Sequence, residues 1–340
     1  MILALLPLMS AGLVHAQSDG LGISPRKDYT IRPGSTKSDT LYLSDLSQKE
    51  ALQVNIRVVD FKAQNESGTP SLLLATNAPQ TTWSLKPFIH IPSTVTVAAG
   101  QSMDIPYTIS IPSNQGAGSY YSAIEYTAQN VSSQSAVTVA ASSATLVFVT
   151  VPGKANELLS FEKFGTFVPN LITGLGTYKS LFIGAQPLEL AYTLQNNGDV
   201  AENPQGSIII NNMFGSKVRT IQKANAHNSL ALLGQTRLFE SCMINGQQST
   251  YNKGVVTTQS ICSPPNLFPG YYTARLNVSY GINGSNSQNV VANTSFWYLP
   301  WWSLASVAVF IGAVIAIVRF IYVEKDKRDA EPKSKNSLST

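Results

Sequence analysis

One short motif occurs twice in the chain, as GSYYSA at residues 118–123 and as GYYTA at residues 270–274. Each copy follows a proline-containing loop and opens a stretch of alternating apolar and polar residues. One more apolar stretch then follows, at 136–151 and at 289–298. Two stretches of chain that end in the same way indicate a repeated unit. We therefore predict two domains of about 135 and 145 residues, each long enough to bury its own core.

Apolar and polar residues alternate widely around this repeat. Between Met103 and Ile111 every second side chain is apolar, and the same period recurs at 54–58, 188–194 and 276–280. A period of two is that of a strand with one buried face. No stretch of 12 residues before residue 300 has a convincing helical period. Many short strands separated by turn residues indicate an all-β fold of sandwiches.

The spacing inside the repeat is Gly-x-Tyr-x-small, with the tyrosine at Tyr120 and at Tyr272. It matches the tyrosine corner of immunoglobulin-like sandwiches, in which the hydroxyl ties a loop back to its own strand. Ser122 and Ala274 then stand where antibody domains have cysteine. We predict two tandem immunoglobulin-like β-sandwiches, at residues 17–152 and 153–299.

The end of the second predicted domain leads into a membrane-spanning pattern. No Lys, Arg, Asp or Glu occurs from Leu276 to Val318. The apolar run begins at Trp301 and, if Arg319 reaches back to the water interface, extends to Val323, which is long enough for a hydrocarbon core of about 30 Å. We predict a single transmembrane helix at residues 300–323. Because aromatic and basic side chains anchor such helices at the interface, the predicted anchors are Trp297, Trp301, Trp302 and Arg319.

Flanking residues predict the orientation of this helix. Residues 2–14 are apolar and lead into the cleavage signature Val14-His15-Ala16, although no Lys or Arg precedes them. We predict a signal peptide at residues 1–16. The last basic residue before the helix is Arg275, whereas six basic residues lie from Arg319 onward. By the positive-inside rule the tail, residues 324–340, is cytoplasmic and residues 17–300 are extracellular.

The chain has two cysteines, Cys242 and Cys262, both in the predicted extracellular part. An even pair outside the cytoplasm indicates a disulfide. Two unpaired thiols and one half of a metal site are the alternatives. Both cysteines lie in the segment from Leu230 to Pro265, which has the least regular pattern of its domain. Because long irregular loops are usually functional or disordered, this segment is the predicted partner-recognition loop.

Charge gives a weaker prediction of a binding surface. The net charge is +4, with only 12% of residues charged, which gives no argument for a nucleic-acid partner. The second predicted domain carries nine basic and six acidic residues, a net charge of +3. Lys217, Arg219 and Lys223 are close together in sequence. They predict either a patch that attracts anionic cell-wall polymer or an ordinary solvated hairpin.

The common catalytic motifs are absent from the sequence. The sequence has no His-Glu-x-x-His, nucleophile elbow or Cys-x-x-Cys motif. The carboxylates of Asp60, Asp104 and Glu125 have no spacing that predicts an acid–base pair. We therefore expect a protein that is not an enzyme, without cofactor or catalytic metal.

Three segments carry a resemblance to known sandwich proteins. Residues 23–45, with the turn Pro33-Gly34, resemble the first strands of the bacterial superfamily that includes pilus chaperones. Residues 95–126 resemble the end of the first domain of WxL-interacting proteins of Gram-positive bacteria. Residues 194–218 are similar to a strand pair of that family's second domain, with its Asn-x-Gly and Pro-x-Gly elements at Asn197-Gly198 and Pro204–Gly206.

This resemblance implies a membrane-anchored surface protein without enzymatic activity. Its first domain is expected to engage peptidoglycan, and its second is expected to bind partner surface proteins or host material. Membrane lipid is a partner through the single span. A second hypothesis is a membrane-tethered chaperone or assembly factor, in which an exposed edge strand of the first domain accepts a strand from a pilin-like or secreted client by β-augmentation.

Overall fold

The computed structural model describes residues 20–46, 50–75, 77–130, 141–170, 176–252, 255–281 and 287–330. Within these residues the chain is mostly β-strand and ends in one long apolar helix, so the predicted all-β class with a C-terminal helix is confirmed. The predicted signal peptide and the last ten residues of the chain lie outside the described part.

The first eleven strands end at Val151. They are β1 (Leu21–Ile23), β2 (Arg26–Thr30), β3 (Thr36–Asp45), β4 (Leu52–Val59), β5 (Phe61–Ala63), β6 (Pro70–Leu72), β7 (Ile89–His90), β8 (Thr94–Val97), β9 (Ser102–Ser110), β10 (Gly118–Asn130) and β11 (Ala141–Val151). Nine of them form two sheets, in the orders β1-β3-β9-β7 and β2-β11-β10-β4-β8. The short hairpin β5–β6 lies between β4 and β7 in sequence and forms a two-stranded sheet of its own.

The alternating pattern explains the packing of this first sandwich. In β4, Leu52, Val54 and Ile56 are buried while the residues between them are exposed. Their side chains meet those of Leu41 and Ile105 from the facing sheet in one hydrophobic core. Burial of such side chains, at about 1.5–3 kcal/mol each, is the main force that holds two sheets face to face.

The next eleven strands begin at Leu159. They are β12 (Leu159–Pro169), β13 (Gly176–Tyr178), β14 (Leu181–Ile183), β15 (Glu189–Asn196), β16 (Gln205–Asn212), β17 (Lys217–Ile221), β18 (Thr236–Cys242), β19 (Asn245–Asn252), β20 (Val255–Cys262), β21 (Gly270–Tyr280) and β22 (Gln288–Leu299). The sheets have the orders β13-β12-β15-β18 and β14-β22-β21-β16-β17, and β19–β20 pair with each other as a separate hairpin.

The five-stranded sheets of the two sandwiches share one strand order. In each, the edge of the five-stranded sheet is a short strand that runs parallel to the last strand, β2 beside β11 and β14 beside β22. The strand before the last, β10 or β21, is the central one in both sheets. The motif that opens β10 and β21 therefore occupies the same place in each unit, as the sequence repeat indicates.

A hydrophobic cluster joins the two sandwiches. Phe61 and Tyr121 of the first sandwich are buried against Leu232 of the second, and Trp83 packs on the same cluster. Ser119 N donates to Asp199 O at 2.9 Å, and Leu238 N donates to Glu66 O at 2.8 Å. Gly118 makes this close approach feasible, because a Cβ there would lie 2.8 Å from the Asp199 carbonyl oxygen.

The last element is α1 (Trp301–Ala330), and one residue, Pro300, separates it from β22. The candidate membrane span within it runs from Trp301 to Asp326; its most apolar 18-residue window has a mean hydropathy of 2.5, and none of that window is buried within the protein. By length and composition it is able to cross a membrane. The helix continues to Ala330, beyond the predicted end of the span at 323, because the charged residues that follow are good helix formers.

Candidate functional site

The hairpin β19–β20 is the most distinctive surface feature of the second sandwich. Eight residues of each strand are paired, from Asn245 with Cys262 to Asn252 with Val255. Neither strand pairs with another strand in the described part of the chain. The prediction of an irregular loop from Leu230 to Pro265 is therefore wrong, since the segment contains β18 and this hairpin. Its Gln, Ser and Thr residues give no apolar alternation in the sequence, and residues 247–249 of β19 and 258–260 of β20 are exposed.

A disulfide between Cys242 and Cys262 closes the base of the hairpin, as predicted, with a Cα–Cα distance of 5.1 Å. It joins the end of β18 to the end of β20. The two alternatives, free thiols and half of a metal site, are not what the structure shows. Glu189 is the one further potential ligand near the sulfurs in the described residues. Because thiolate is the form of cysteine that binds metal, the disulfide leaves no ligand set there.

Glu189 lies against this disulfide, with its Oε1 2.9 Å from the Cys262 sulfur. Burial, together with the nearby charge of Glu240, raises the pKa of Glu189 to about 7. Below that pH the carboxyl is protonated and can donate to the sulfur. The contact therefore helps to seat the base of the hairpin on β15.

Strand register places the hairpin at the helix end of the second sandwich. Glu189, the first residue of β15, pairs with Cys242, the last residue of β18. Gly270 at the start of β21 pairs with Tyr298 near the end of β22. Since α1 follows β22 directly, the hairpin base, the loop before β21 and the start of α1 all lie at the same end.

The tyrosines of the repeat make equivalent hydrogen bonds. The Tyr120 hydroxyl donates to Gly116 O at 3.0 Å, and the Tyr272 hydroxyl donates to Phe268 O at 2.7 Å. In each case the acceptor lies four residues earlier, in the loop that precedes the strand. This is the arrangement that the tyrosine-corner hypothesis describes. Tyr272 thereby fixes the loop that carries Phe268.

The three basic residues are spread out rather than clustered. Lys217 is exposed at the start of β17, and Lys223 is exposed two residues beyond its end. Six residues of extended chain separate them, which is about 20 Å. Arg219 is half-buried and pairs in register with the core residue Ile210. These three residues therefore do not form a single compact anion site.

Three of the four predicted interface anchors, Trp297, Trp301 and Trp302, lie around the start of α1. Trp297 is exposed on β22 and packs on Tyr271, with ring centroids 5.2 Å apart. Trp301 and Trp302 are 70% and 63% exposed. Arg319 is also exposed, in the second half of the helix.

Of the three carboxylates considered for catalysis, Asp104 is exposed on β9, whereas Asp60 and Glu125 are held by structural contacts. Asp60 is buried and accepts hydrogen bonds from the hydroxyls of Ser84 and Ser122, at 2.7 and 2.9 Å. Glu125 is buried and forms an ion pair with Arg57. Asp60 and Glu125 therefore interact with different neighbours, and these contacts do not join them as an acid–base pair.

Sequence reasoning missed two residues at the helix end, Phe214 and Phe268. They are 83% and 80% exposed, more than any other large apolar side chain of the described residues before α1. Each lies next to a turn residue, before Gly215 and before Pro269. The sequence signal that could have identified both residues is an aromatic side chain next to a turn residue, because turns are usually polar.

No protein-family model matches the chain, and no functionally curated protein matches it. Among solved structures, the E. coli chaperone DraB is 10% identical over 82% of this chain and 97% of its own, with a TM-score of 0.33. The Salmonella enterica SafA pilin in complex with the SafB chaperone matches at 8% identity, 81% and 97% coverage and a TM-score of 0.34. A PapD-like domain of human CEP192 matches at 15%, 44% and 95%, with a TM-score of 0.28.

These likenesses concern the sandwich fold alone. At TM-scores of 0.28 to 0.34 they carry no argument about what the chain binds. The resemblance to WxL-interacting proteins stays a prediction.

Proposed function

We propose that this chain is a membrane-anchored surface protein without enzymatic activity that recognises a protein partner through the hairpin β19–β20. The observation that carries the proposal is the hairpin itself, which pairs with no other strand of the described chain. The membrane anchor is α1, whose most apolar 18-residue window is not buried within the protein. The orientation in the proposal, sandwiches outside and tail inside, follows the basic residues beyond the span.

The hairpin suits strand addition because it is long and its outer edges are unpaired. Eight residue pairs extend over about 26 Å. A strand of a partner that adds to either edge gains main-chain hydrogen bonds along that length. The disulfide removes conformational freedom from the base, so that less entropy is lost when the partner binds.

The other sheet edges of the molecule are less suitable. In the described residues the edge strands β1, β2, β7, β8, β13, β14 and β17 of the two sandwiches have two to five residues each. Short edge strands are a common protection against unwanted pairing. The seven-residue edge strand β18 is partly covered, since its Leu238 N donates to Glu66 O of the first sandwich.

The same observation favours a second candidate function, a membrane-tethered assembly factor for a pilin-like or secreted client. In that case the client strand adds to the hairpin edge only transiently. The two functions differ in cells. An assembly factor co-purifies with a secreted subunit, and deletion of its gene depletes that subunit. A stable surface receptor leaves the amount of its partner unchanged.

Cell-wall polymer is the remaining candidate ligand, and the exposed Lys217 and Lys223 are the residues proposed to attract it. The test presents full-length protein in nanodiscs to purified wall polymer and to the secreted-protein fraction in parallel. Two variants separate the ligands. One replaces residues 245–261 by a short Gly-Ser linker, and the other carries Lys217→Ser with Lys223→Ser.

Loss of protein capture in the hairpin variant alone supports the proposal, provided that the variant unfolds at the wild-type temperature outside the hairpin. Loss of wall binding in the lysine variant alone supports the polymer contact. Undiminished protein capture by the hairpin variant would overturn the proposed recognition role.

A further inference from the structure

We infer that the helix end of the second sandwich rests on the bilayer that α1 spans, with Phe214 and Phe268 inserted among the lipid headgroups. The inference deepens the proposed function and rests on its membrane anchor. The partner is the outer bilayer surface itself. It adds a second contact with lipid, made by the sandwich rather than by the helix.

The first argument is the exposure of these two aromatic side chains. Phe214 and Phe268 are 83% and 80% exposed, whereas Met213 beside them is 50% exposed. Removing a phenylalanine from water is strongly favourable. Apolar residues concentrated at one site on a protein surface usually mark an interaction site.

The second argument is that both side chains are presented by rigid loops. The Asn212 side chain accepts hydrogen bonds from Phe214 N and Ser216 N, each at 3.0 Å. The Tyr272 hydroxyl holds Phe268 O. Such contacts fix the turn without burying either ring. The exposure is therefore built into the fold and is not the result of a loose loop.

The third argument is position. The turn that carries Phe214 and the loop that carries Phe268 touch, since Met213 Cε lies 3.0 Å from the position of a Cβ on Gly270. Gly270 pairs with Tyr298, two residues before Pro300. The apolar tips thus lie at the end of the sandwich from which the helix leaves.

The fourth argument is the short and packed connection. Pro300 alone separates β22 from α1. The Trp301 indole packs on the sandwich, where a Cβ on Gly184 would lie 2.5 Å from its Nε1. With so short a link, a helix that spans the membrane holds this end of the sandwich at the headgroup layer. Trp297 and Lys217 lie at the same end, and such side chains favour this layer.

The test uses the full chain in vesicles of phosphatidylcholine and phosphatidylglycerol. The photoreactive residue benzoylphenylalanine replaces Phe214, Phe268 or Trp302, and irradiation is followed by mass spectrometry of the adducts. Tyr42 and Leu74 of the first sandwich, which are 46% and 44% exposed, serve as control positions. Lipid adducts at 214 and 268 are expected to exceed those at 42 and 74 by about tenfold.

Each other outcome overturns the inference in a distinct way. Lipid adducts at 302 without adducts at 214 and 268 show that the anchor is right and that the sandwich stands clear of the bilayer. Adducts from 214 or 268 to a second copy of the chain assign this end to a protein interface instead. Absence of lipid adducts at 302 removes the proposed membrane anchor together with the inference.

Discussion

The five-stranded sheets of the two sandwiches have the same strand order but differ in how much of their outer face is covered. In the first sandwich Tyr121, on the outer face of β10, is 1% exposed because the second sandwich and the β5–β6 insertion cover it. In the second sandwich the equivalent residue on β21 is Thr273, which is exposed. The same sheet order therefore occurs once with its outer face covered by the other sandwich and once with that face exposed at the equivalent position.

The exposed apolar side chains show the same difference. Among the described residues, three large apolar side chains are exposed in the first sandwich and thirteen in the second. The tyrosine-corner loop of the first sandwich carries Gly116 and leads to Gly118, which contacts Asp199. The equivalent loop of the second carries Phe268. The loop that contacts the other sandwich thus has small and polar residues, whereas the equivalent loop at the helix end carries an exposed aromatic residue.

Tyr121→Ala gives the largest expected effect and tests the covered face. Its ring lies 5.1 Å from that of Phe61 and 5.6 Å from those of Trp83 and Phe148. Loss of a buried aromatic side chain is expected to lower the free energy of unfolding by about 3–5 kcal/mol, measured by urea denaturation. Thr273→Ala is the matched control, with an expected change within about 0.5 kcal/mol. Equal effects of the two changes would contradict the comparison.

The double substitution Cys242→Ser with Cys262→Ser tests the feature that only the second sandwich has. The bond closes a loop with a sequence separation of 20, so its loss is expected to cost about 3 kcal/mol. Variants that keep Trp83 or Trp297 as their single tryptophan report by fluorescence on the first and on the second sandwich, respectively. The loss is expected in the second sandwich, and reduced wild-type protein is expected to behave in the same way. A loss of stability reported by Trp83 alone would contradict the assignment of the effect to the second sandwich.

Glu202→Gln tests a buried carboxyl of the second sandwich. Burial, with a contribution from the Glu157 charge, raises the pKa of Glu202 to about 7, although the Gly281 N–H donates to it at 3.1 Å. The folded state then binds more protons than the unfolded state between the unfolded pKa and 7. The free energy of unfolding is therefore expected to fall as the pH rises through this interval.

In the Gln variant this fall is expected to be reduced, with a gain of about 1–3 kcal/mol in unfolding free energy above pH 7. Urea denaturation across the pH range measures it. Glu125→Gln is the control in the first sandwich. It is expected to give no gain, because a neutral amide does not pair with the Arg57 charge. The same pH profile for wild type and Glu202→Gln contradicts the prediction.

Tyr272→Phe and Tyr120→Phe compare the two tyrosine corners and give the smallest expected effect. Tyr272 is 4% exposed, so loss of its hydrogen bond is expected to cost about 0.5–1.5 kcal/mol. Tyr120 is less buried, and water replaces its bond at a smaller cost. Thermal denaturation of both variants measures the difference. A larger loss for Tyr120→Phe reverses the expected order.

Local patterns were sufficient to predict several parts of the fold. The alternation between Met103 and Ile111 places β9, the repeat places Tyr120 and Tyr272, and the apolar run places α1. Each of these depends on residues that are close in sequence, and their burial follows from strand or helix period. The cysteine pair was predictable because the chain has two cysteines.

Other parts depend on contacts between distant residues. Tyr121 and Leu232 meet in the cluster between the sandwiches, although more than a hundred residues separate them. The hairpin β19–β20 has polar residues on both faces, so its sequence lacks the pattern of a half-buried strand. Lys217 and Lys223 look clustered in sequence but are separated by the length of an extended strand. The surfaces proposed for binding are therefore the parts that the sequence described least well.

The single residue Pro300 between β22 and α1 has a mechanical consequence. A proline has a restricted backbone and contributes little slack to a connection. In the proposed function, a force that a partner exerts on the hairpin would reach the helix through the second sandwich and β22 without first extending a tether. The lateral reach of a protein anchored in this way is short, so that its partners would bind within the height of the two sandwiches above the membrane.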